Sequence, residues 1–503
     1  MLTRRGFIGC SAAFGAVRLC GEGFSGGTRR PLLRLGVASD VHLCRQWNQE
    51  KYLARALCWF NGQGADAVLF PGDITHFGRI SELESFARVW NEVFPNCRGS
   101  DGRTVERMIV TGNHEFAYWP GLWDRVSEAE MRADRLDYAD NMSKTWERLF
   151  GEKFEPIWRK EIRGVTFIGR HWRGLTPNST LDIETYMRMV ACELPKDRPF
   201  FYCQHAQPDG TCYDSIDSFD QGASYRALSC FPNAVALSGH SHNSVVDDRS
   251  VWQGAFTSIS CGCVQEGGSS YQGYENALAP YWPSYKNQRM RCLPVSGNEG
   301  RCCLMMDVYS DGLVVRRQSL QWDEALGEDW KIDVPAVVNG RFDFSRCCRT
   351  HGAPQFPSGS QIKVESCLNP PNAGPGLKDR KCVRISFPHA ETKDGSRVFD
   401  YVVRAFSAGL EIGKWKVLSY GHFLPEGRAC VPGECLVGED ELPSAEIIFE
   451  VTPRNCYGTE GRSILSGKYS RRGISTPVRP GDVLSRAVIR GRESGILPGL
   501  AIS

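Results

Sequence analysis

The chain has 503 residues, which is longer than a single hydrophobic core usually extends, so we expect at least two domains. Its 60 Lys and Arg residues against 58 Asp and Glu residues leave a formal charge of +2, and no long run of one sign marks a nucleic-acid-binding arm. A hydrophobic share of 41% and a charged share of 23% are typical of globular proteins and exclude a largely disordered or fibrous chain.

The first thirty residues differ from the rest. A pair of arginines, Arg4 and Arg5, precedes an apolar stretch from Phe7 to Val17 and then a glycine-rich segment. This layout is typical of an export signal, and the arginine pair resembles the twin-arginine signal. We expect residues 1–30 to be such a signal with its linker, and the protein to be periplasmic or extracellular; an ordered N-terminal helix is the alternative. The apolar stretch is too short to cross a bilayer, and no later segment resembles a transmembrane span.

The 21 cysteines are too few to mark a disulfide-built scaffold. Neighbouring pairs such as Cys302 and Cys303 lack the spacing of a zinc site, so we predict that most cysteines are small core residues. Disulfides can form after export, and Cys430 with Cys435 is the first pair to test.

From Leu32 onward, short β-rich runs alternate with amphipathic stretches, and this alternation predicts a layered α/β domain. The predicted strands are 32–37, 67–70, 108–110, 165–168, 200–202 and 234–237. The predicted helices are 49–62, 81–94, 127–150 and 182–194, and Ser81 with Glu84 fits a capping box for the second of them.

The pattern changes beyond residue 300, where β-rich runs lead to Trp330–Pro335, the predicted end of the first domain. From about residue 340 the helical period is absent, and short apolar runs separated by Pro and Gly predict a β-sandwich. The expected domains are therefore 31–337 and 338–503. Because the second has no cluster of ionisable residues, we predict an accessory or binding module there.

Nearly every predicted strand of the first domain ends in a polar cluster. Ligands of open α/β sheets bind beyond the carboxyl ends of the strands, so we expect these clusters to converge on one edge. In chain order they are Asp40-Val41-His42, Gly72-Asp73, Gly112-Asn113-His114-Glu115, Gln204-His205 and Gly239-His240-Ser241-His242.

This ordered series resembles the signature of the calcineurin-like metallophosphoesterases across residues 35–245. The resemblance implies a layered α/β/β/α sandwich that holds two divalent metal ions. It also implies a ligand set with Asp73 bridging the two ions, Asp40, His42 and His242 completing one, and Asn113, His205 and His240 completing the other. Mixed imidazole, carboxylate and amide ligands favour Mn, Fe or Zn over Mg or Ca.

The resemblance assigns His114 to catalysis, where it contacts the substrate phosphate and protonates the leaving oxygen. Two ions about 3.5–4 Å apart lower the pKa of a water that bridges them. The implied reaction is attack of this metal-bridging hydroxide on a phosphomonoester or phosphodiester. Relatives often carry a second carboxylate in Gly-Asp-x-x-Asp that orients the catalytic imidazole, but His76 stands at that position in this chain. What orients His114 is therefore open, and Glu115 is interpreted as a support of the loop.

Two further patterns concern the rest of the chain. The aromatic segments Tyr118–Trp123 and Tyr271–Tyr285 could stack on a base or sugar, cover a lipid headgroup, or simply pack within long loops. The segment Val308–Pro335 resembles the tail of exported bacterial members that continue into a fibronectin-like module, and Glu450–Gly458 resembles the ending of that module.

The sequence thus predicts an exported dinuclear metallophosphoesterase that acts on a small-molecule phosphoester, without a nucleic-acid partner or a transmembrane segment. One alternative is a catalytically inactive exported protein that binds metal or glycan. Another is a dinuclear hydrolase of a different class, such as a peptidase or lactamase, which the absence of a His-x-His-x-Asp-His block disfavours. The pattern does not indicate an oligomeric state.

Overall fold

The computed structural model describes residues 29–44, 49–116, 122, 125–173, 182–212, 215, 220–265, 300–335, 340–368, 380–393, 396–470 and 473–475. Both predicted aromatic segments, apart from Leu122, and all but the last two residues of the predicted export signal lie outside these ranges. The chain divides into two units, Met1–Pro31 and Leu32–Ser503, and the helices and strands of the described residues belong to the second. None of the described helices is long and apolar enough to cross a membrane.

Two six-stranded sheets form the N-terminal part of this unit. Their strands are β1 (Leu33–Val37), β2 (Ala67–Pro71), β3 (Glu106–Val110), β4 (Ile157–Ile162), β5 (Val165–Arg170), β6 (Phe200–Cys203), β7 (Ala234–Ser238), β8 (Val251–Gln253), β9 (Thr257–Ser260), β10 (Cys302–Tyr309), β11 (Gly312–Ser319) and β12 (Trp330–Asp333). The strand order is β12-β11-β10-β1-β2-β3 in one sheet and β4-β5-β6-β7-β9-β8 in the other. The strands β1, β2 and β3 run parallel, as do β5, β6, β7 and β9, so their carboxyl ends point the same way within each sheet.

The two sheets face each other across one apolar core. Side chains alternate along β2, so that Ala67 and Leu69 join the core between the sheets while Val68 and Phe70 join the core under the helices. The inner core receives Phe167 of the second sheet from the opposite side. Because both faces of these strands are covered, the strands are nearly continuous apolar runs, as parallel strands in layered proteins usually are.

Helices cover the outer faces of both sheets. The described α-helices are α1 (Gln49–Gly62), α2 (Ile80–Val93), α3 (Glu128–Asp134), α4 (Asn141–Phe150), α5 (Ile183–Val190), α6 (Ala223–Leu228) and α7 (Phe344–Thr350), of which α3 has no buried residue and does not contribute to the cores. In α1, Leu53, Leu57 and Phe60 recur at helical spacing and are buried against the first sheet. The helices α5 and α6 cover the second sheet. The layered α/β/β/α arrangement predicted from the sequence is therefore confirmed.

The structure corrects three local predictions. The segment predicted as one helix over 127–150 forms two helices, because the chain becomes extended at Arg135 and buries Leu136, whose amide donates to the carbonyl of Gly78. Ser81 does not cap α2, since this helix begins at Ile80. The helix α7 breaks the all-β pattern expected beyond residue 340.

The C-terminal part is formed by antiparallel sheets. Its strands are β13 (Lys363–Leu368), β14 (Lys381–Phe387), β15 (Val398–Ser407), β16 (Leu410–Leu418), β17 (Gly433–Gly438), β18 (Ile448–Asn455), β19 (Ile464–Leu465), β20 (Lys468–Ser470) and β21 (Gly473–Ser475). The sheet β13-β14-β17 and the sheet β16-β15-β18-β19 contribute side chains to one core, for example Ile385 and Trp415. Cys435 is buried in this core while Cys430 is exposed, and the structure shows no disulfide between them.

Candidate metal centre

The five predicted polar clusters meet beyond the carboxyl ends of β1, β2, β3, β6 and β7. Two groups of side chains there have ligand atoms within 4.8 Å of one another, and both groups contain Asp73. The structure thus brings all eight predicted site residues together: Asp40, His42, Asp73, Asn113, His114, His205, His240 and His242.

The first group consists of Asp40, His42, Asp73 and His242. Oδ1 of Asp40 lies 3.1 Å from Nε2 of His242 and 3.8 Å from Nε2 of His42. Oδ2 of Asp73 lies 3.6 Å from the same Nε2 of His42, and the two imidazole Nε2 atoms are 3.1 Å apart. Two carboxylate oxygens and two imidazole nitrogens therefore face one point.

The second group consists of Asp73, His205 and His240. Nε2 of His205 lies 3.0 Å from Oδ2 of Asp73. Asn113 adds an amide oxygen, since its Oδ1 lies 3.1 Å from Nδ1 of His240. With Asn113, this group contains the residues that the family resemblance implies for the second ion.

The backbone at five of these residues adopts a left-handed conformation that residues other than glycine rarely adopt. The φ angles are positive at Asp40 (51°), His42 (49°), Asp73 (50°), His240 (70°) and His242 (54°). Such residues cost about 1–3 kcal/mol each and persist only where their surroundings enforce them. Main-chain hydrogen bonds contribute here, because the amides of Asp40 and His42 donate to the carbonyls of Gly72 and Asp73.

Two positions, Gly112 and Gly239, can only be glycine because a predicted carboxylate ligand lies directly against the backbone there. A Cβ atom at Gly112 would lie 2.2 Å from Oδ1 of Asp73, and a Cβ atom at Gly239 would lie 2.2 Å from Oδ2 of Asp40. Any side chain at these positions would displace a predicted ligand. The glycines of the Gly-Asn-His and Gly-His-x-His blocks therefore have a steric function in this chain.

His205 provides the test of whether these residues fit divalent ions. Its Nδ1 lies 2.7 Å from the carbonyl oxygen of Pro71, so Nδ1 carries a proton and Nε2 is the nitrogen left to face the centre. Nε2 is buried and lies 3.0 Å from Oδ2 of Asp73. A buried ring nitrogen held in this way, whose own proton an ion would replace, fits a first-row transition-metal ion among carboxylate, amide and imidazole ligands.

Electrostatics at the centre follow from burial and the close contact of opposite groups. Burial raises the pKa of Asp40 and Asp73, but the neighbouring histidines outweigh it and hold both pKa values well below the usual range. Burial lowers the pKa of His42 to about 4. For His205, burial also lowers the pKa, yet Asp73 and Asp40 together raise it to about 10. Because ligands must be deprotonated, a cation would replace the proton that balances these carboxylates.

His114 lies beside Asp73 at the centre, with a side chain that is 16% exposed. Its amide donates to Oδ1 of Asp73 at 2.8 Å, and its Nε2 lies 3.9 Å from Oδ2 of the same residue. Its Nδ1 lies 2.8 Å from the main-chain carbonyl oxygen of His76. A carbonyl therefore occupies the role that a carboxylate has in many relatives, which answers the question left open by the sequence.

Glu115 supports the loops, as interpreted from the sequence. Its buried carboxylate accepts hydrogen bonds from the amide and hydroxyl of Thr75 at 2.8 and 3.1 Å and from the amide of Gly112 at 2.6 Å. These bonds join the loop after β2 to the loop after β3. Burial, with the nearby charge of Asp73, raises the pKa of Glu115 to about 7.

His171 and Trp172 lie near the site but were not among the residues predicted for it. Nδ1 of His171 accepts a hydrogen bond from the amide of Thr111 at 2.9 Å, and the buried ring stacks on Phe154. The ring of Trp172 lies 5.8 Å from that of His205 and 5.8 Å from that of His240, between centroids. Both residues directly follow β5, so the strand-end rule applied to that strand would have found them.

Comparisons with known proteins agree with this geometry. Residues 33–244 match the family model described as calcineurin-like phosphoesterase, which is somewhat less than half of the 503 residues. No curated protein matches the sequence significantly.

Three solved structures are distant likenesses. A dimetal phosphatase from Danio rerio is 12% identical with a TM-score of 0.35, over 60% of this chain and 99% of that chain. A purple acid phosphatase from yellow lupin (Lupinus luteus) seeds is 13% identical with a TM-score of 0.38, over 60% of this chain and 53% of that chain. GAP50, the anchor in the inner membrane complex of Plasmodium, is 12% identical with a TM-score of 0.34, over 60% of this chain and 88% of that chain. Similarity at this level supports no conclusion about activity.

The family match covers all five clusters up to His242. Together with the layered sheets and the two ligand groups that share Asp73, it identifies residues 33–244 as a calcineurin-like phosphoesterase domain.

Proposed function

We propose that the protein is a metal-dependent phosphohydrolase that cleaves a small-molecule phosphomonoester or phosphodiester at a dinuclear centre. The observation that carries the proposal is the pair of ligand groups that share the buried carboxylate of Asp73. A carboxylate with one neighbouring group on each side can hold two cations close together, which is the arrangement used for in-line displacement at phosphorus.

The residues would divide between the two ions as their groups suggest. Asp40, His42 and His242 would hold one ion with Asp73, and the proposed ligands of the other are Asp73, Asn113, His205 and His240. When bound, two ions of this kind supply Lewis-acid chemistry that activates water and stabilises charge on phosphate oxygens. The mixed donor set favours Mn, Fe or Zn.

His114 would act as the general acid. Its Nδ1 proton is donated to the carbonyl of His76, so the ring is held with Nε2 towards the centre. In the imidazolium form, the proton on Nε2 is the one that can pass to the leaving oxygen, and Nδ1 keeps its proton and its hydrogen bond afterwards. The main chain thus fixes the direction of proton transfer.

The cellular setting is a separate part of the proposal. The arginine pair and short apolar stretch of residues 1–30 support export through a twin-arginine route to the periplasm or beyond. The antiparallel C-terminal sheets support a fibronectin-like accessory module, and the boundary near residue 337 stays a prediction.

The test is His114→Ala, with bis-p-nitrophenyl phosphate and p-nitrophenyl phosphate as substrates. Removal of a general acid typically costs about 100- to 10,000-fold in rate, and we expect a kcat loss in this range for an alkyl phosphoester, a smaller loss for the two aryl esters, and two metal ions per chain retained in the variant. The aryl leaving group needs little protonation, so an alkyl phosphoester should lose more rate than the aryl esters do.

Elemental analysis and the wild-type rate separate the alternatives. A wild-type protein that binds two ions but hydrolyses no member of a panel of mono-, di- and cyclic phosphates would be the inactive binding protein considered above. A His114→Ala variant with two ions and full turnover of every ester would exclude the proposed acid.

A further inference from the structure

A third group of imidazoles lies beside the first ligand group. It consists of His42, His76 and His114, whose ring nitrogens come within 4.8 Å of one another. The proposed function uses the main-chain carbonyl of His76 but leaves its ring without a role. We propose that the ring of His76 is a positioning residue for the metal ligand His42, acting as the acceptor of the hydrogen bond from Nδ1 of His42.

The two nitrogens of His42 face different partners. Nε2 points to the carboxylates of Asp40 and Asp73, at 3.8 and 3.6 Å. Nδ1 lies 3.2 Å from Nδ1 of His76, which is within the range of an N–H···N hydrogen bond. A nitrogen that binds a metal ion must carry its lone pair, so Nε2 is the ligand atom and Nδ1 carries the proton.

This assignment determines the state of His76 as well. Since Nδ1 of His42 is the donor, Nδ1 of His76 must be the acceptor, and the single proton of a neutral His76 ring is on Nε2. One residue thereby serves two neighbours, because its carbonyl orients the acid His114 while its ring orients the ligand His42. The inference rests on the metal centre of the proposed function, but not on the identity of the substrate.

The turn that carries His76 is fixed in place. The amides of His76, Phe77 and Arg79 all donate to Oε2 of Glu82, at 3.2, 2.9 and 3.3 Å. The ring of His76 makes an edge contact with the ring of Phe77, with 4.3 Å between centroids. A fixed turn lets the acceptor atom hold a constant position relative to His42.

A neutral acceptor has a chemical consequence. Metal-binding histidines usually donate their second N–H to a carboxylate, a carbonyl or water, and such partners raise the basicity of the ligand. An imidazole acceptor keeps the geometry without adding a negative charge. We therefore expect this ligand group to bind its ion less tightly than the same group would with a carboxylate at position 76.

The experiment measures metal affinity on the full chain, stripped of metal and titrated with Co²⁺ in competition with a chelator. His76→Leu removes the acceptor, and we expect an affinity for one ion that is about 10- to 100-fold weaker. His76→Asn places an amide oxygen close to the position of Nδ1, and we expect near-wild-type affinity. His76→Asp should bind Co²⁺ more tightly than either variant. His351→Leu, at a partly buried histidine in the C-terminal part, is the matched control and should leave the affinity unchanged.

The visible spectrum of bound Co²⁺ is a second measurement, because it reports the coordination geometry at the ion. If His76 only stabilised the fold, this spectrum would not change in the variants. We expect a changed spectrum for His76→Leu and its recovery in His76→Asn. Wild-type affinity in His76→Leu would overturn the proposal. The proposal would also be overturned if the wild type bound a third Co²⁺ ion that His76→Leu and His76→Asn did not bind, because His76 would then itself be a ligand.

The experiment remains decisive if one variant does not fold or if the protein has no phosphoesterase activity. If His76→Leu does not fold, the comparison of His76→Asp with His76→Asn decides, and weaker binding by the Asp variant overturns the proposal. If the wild type binds two Co²⁺ ions and His76→Leu weakens one of them, the inference stands even where no phosphoester is hydrolysed, and only the proposed activity fails.

Discussion

Two regions of the molecule place a buried carboxylate beside histidine, and they differ in what balances the charge. Asp247 accepts hydrogen bonds from Nε and Nη2 of Arg249 at 3.0 and 2.6 Å, and Nε2 of His422 lies 3.4 Å away. Within the described part of the chain, no Lys or Arg forms an ion pair with Asp40 or Asp73. The first arrangement is complete as a buried ion pair, whereas in the second the carboxylates face imidazoles that could be ligands of an ion.

A carboxylate next to histidine is therefore not by itself a metal site. The guanidinium of Arg249 satisfies both oxygens of Asp247 in a planar fork, which leaves no reason to bind a metal ion. At the metal centre the partners of the carboxylates are ring nitrogens that can themselves be ligands. The same isosteric change from Asp to Asn should therefore reduce metal binding in one region and leave it intact in the other.

The largest effect is expected for Asp73→Asn. An amide cannot bridge two cations as a carboxylate does, so we expect fewer than two metal ions per chain. Changing a residue that only supports a metal ligand costs up to roughly 100-fold in activity, and we expect a larger loss here. The metal-free variant should be less stable than the metal-free wild type at neutral pH, because it loses the ion pair between Asp73 and His205. Elemental analysis, initial rates and urea unfolding measure these three quantities; retention of two ions at full activity would contradict the ligand assignment.

Asp247→Asn should affect stability but not metal binding. Breaking a buried ion pair leaves the charge of Arg249 uncompensated and typically costs about 3–5 kcal/mol in the free energy of unfolding. Two metal ions per chain and the kcat of the folded protein should be retained. Urea unfolding of this variant beside Asp73→Asn tests the comparison directly, and loss of metal from Asp247→Asn without loss of stability would break it.

The smallest expected effect is the contribution of His171 to the pH dependence of the unfolding free energy. Burial lowers its pKa from the usual 6.5 to about 3 in the folded protein. Between these pH values only the unfolded chain binds the proton, so this residue's contribution to stability decreases as the pH falls, by about 1.4 kcal/mol per pH unit. We expect His171→Phe to be less stable than the wild type at pH 7 but to lose less stability on going to pH 5. Unfolding free energies at the two pH values measure the difference, and equal slopes would contradict the assignment.

Much of the fold could be predicted because apolar periodicity follows burial. The apolar run Ala67–Pro71 predicted a strand, and the helical spacing of Leu53, Leu57 and Phe60 predicted a helix. Both patterns arise because these side chains pack into the cores on the two faces of the first sheet. The break after Asp134 was missed because it depends on Leu136 packing against a distant loop. Such long-range contacts leave no local signal.

The candidate site was predictable to a similar degree. The order of the five clusters identified the eight predicted residues, since the chemistry restricts both residue type and position at strand ends. The partner of the His114 ring could not be derived from the sequence, because it is a main-chain carbonyl and any residue at position 76 would provide one. The direction of the His76 ring depends on three-dimensional packing beside Phe77.

The left-handed backbone at five of the proposed ligands connects function to the stability of the chain. Asp40, His42, Asp73, His240 and His242 all have conformations that glycine would adopt at a lower cost. Replacing one of these residues by glycine would therefore relieve backbone strain and at the same time remove a side chain that is proposed to bind metal. The proposed metal ligands are therefore held in place against the conformational preference of their own backbone.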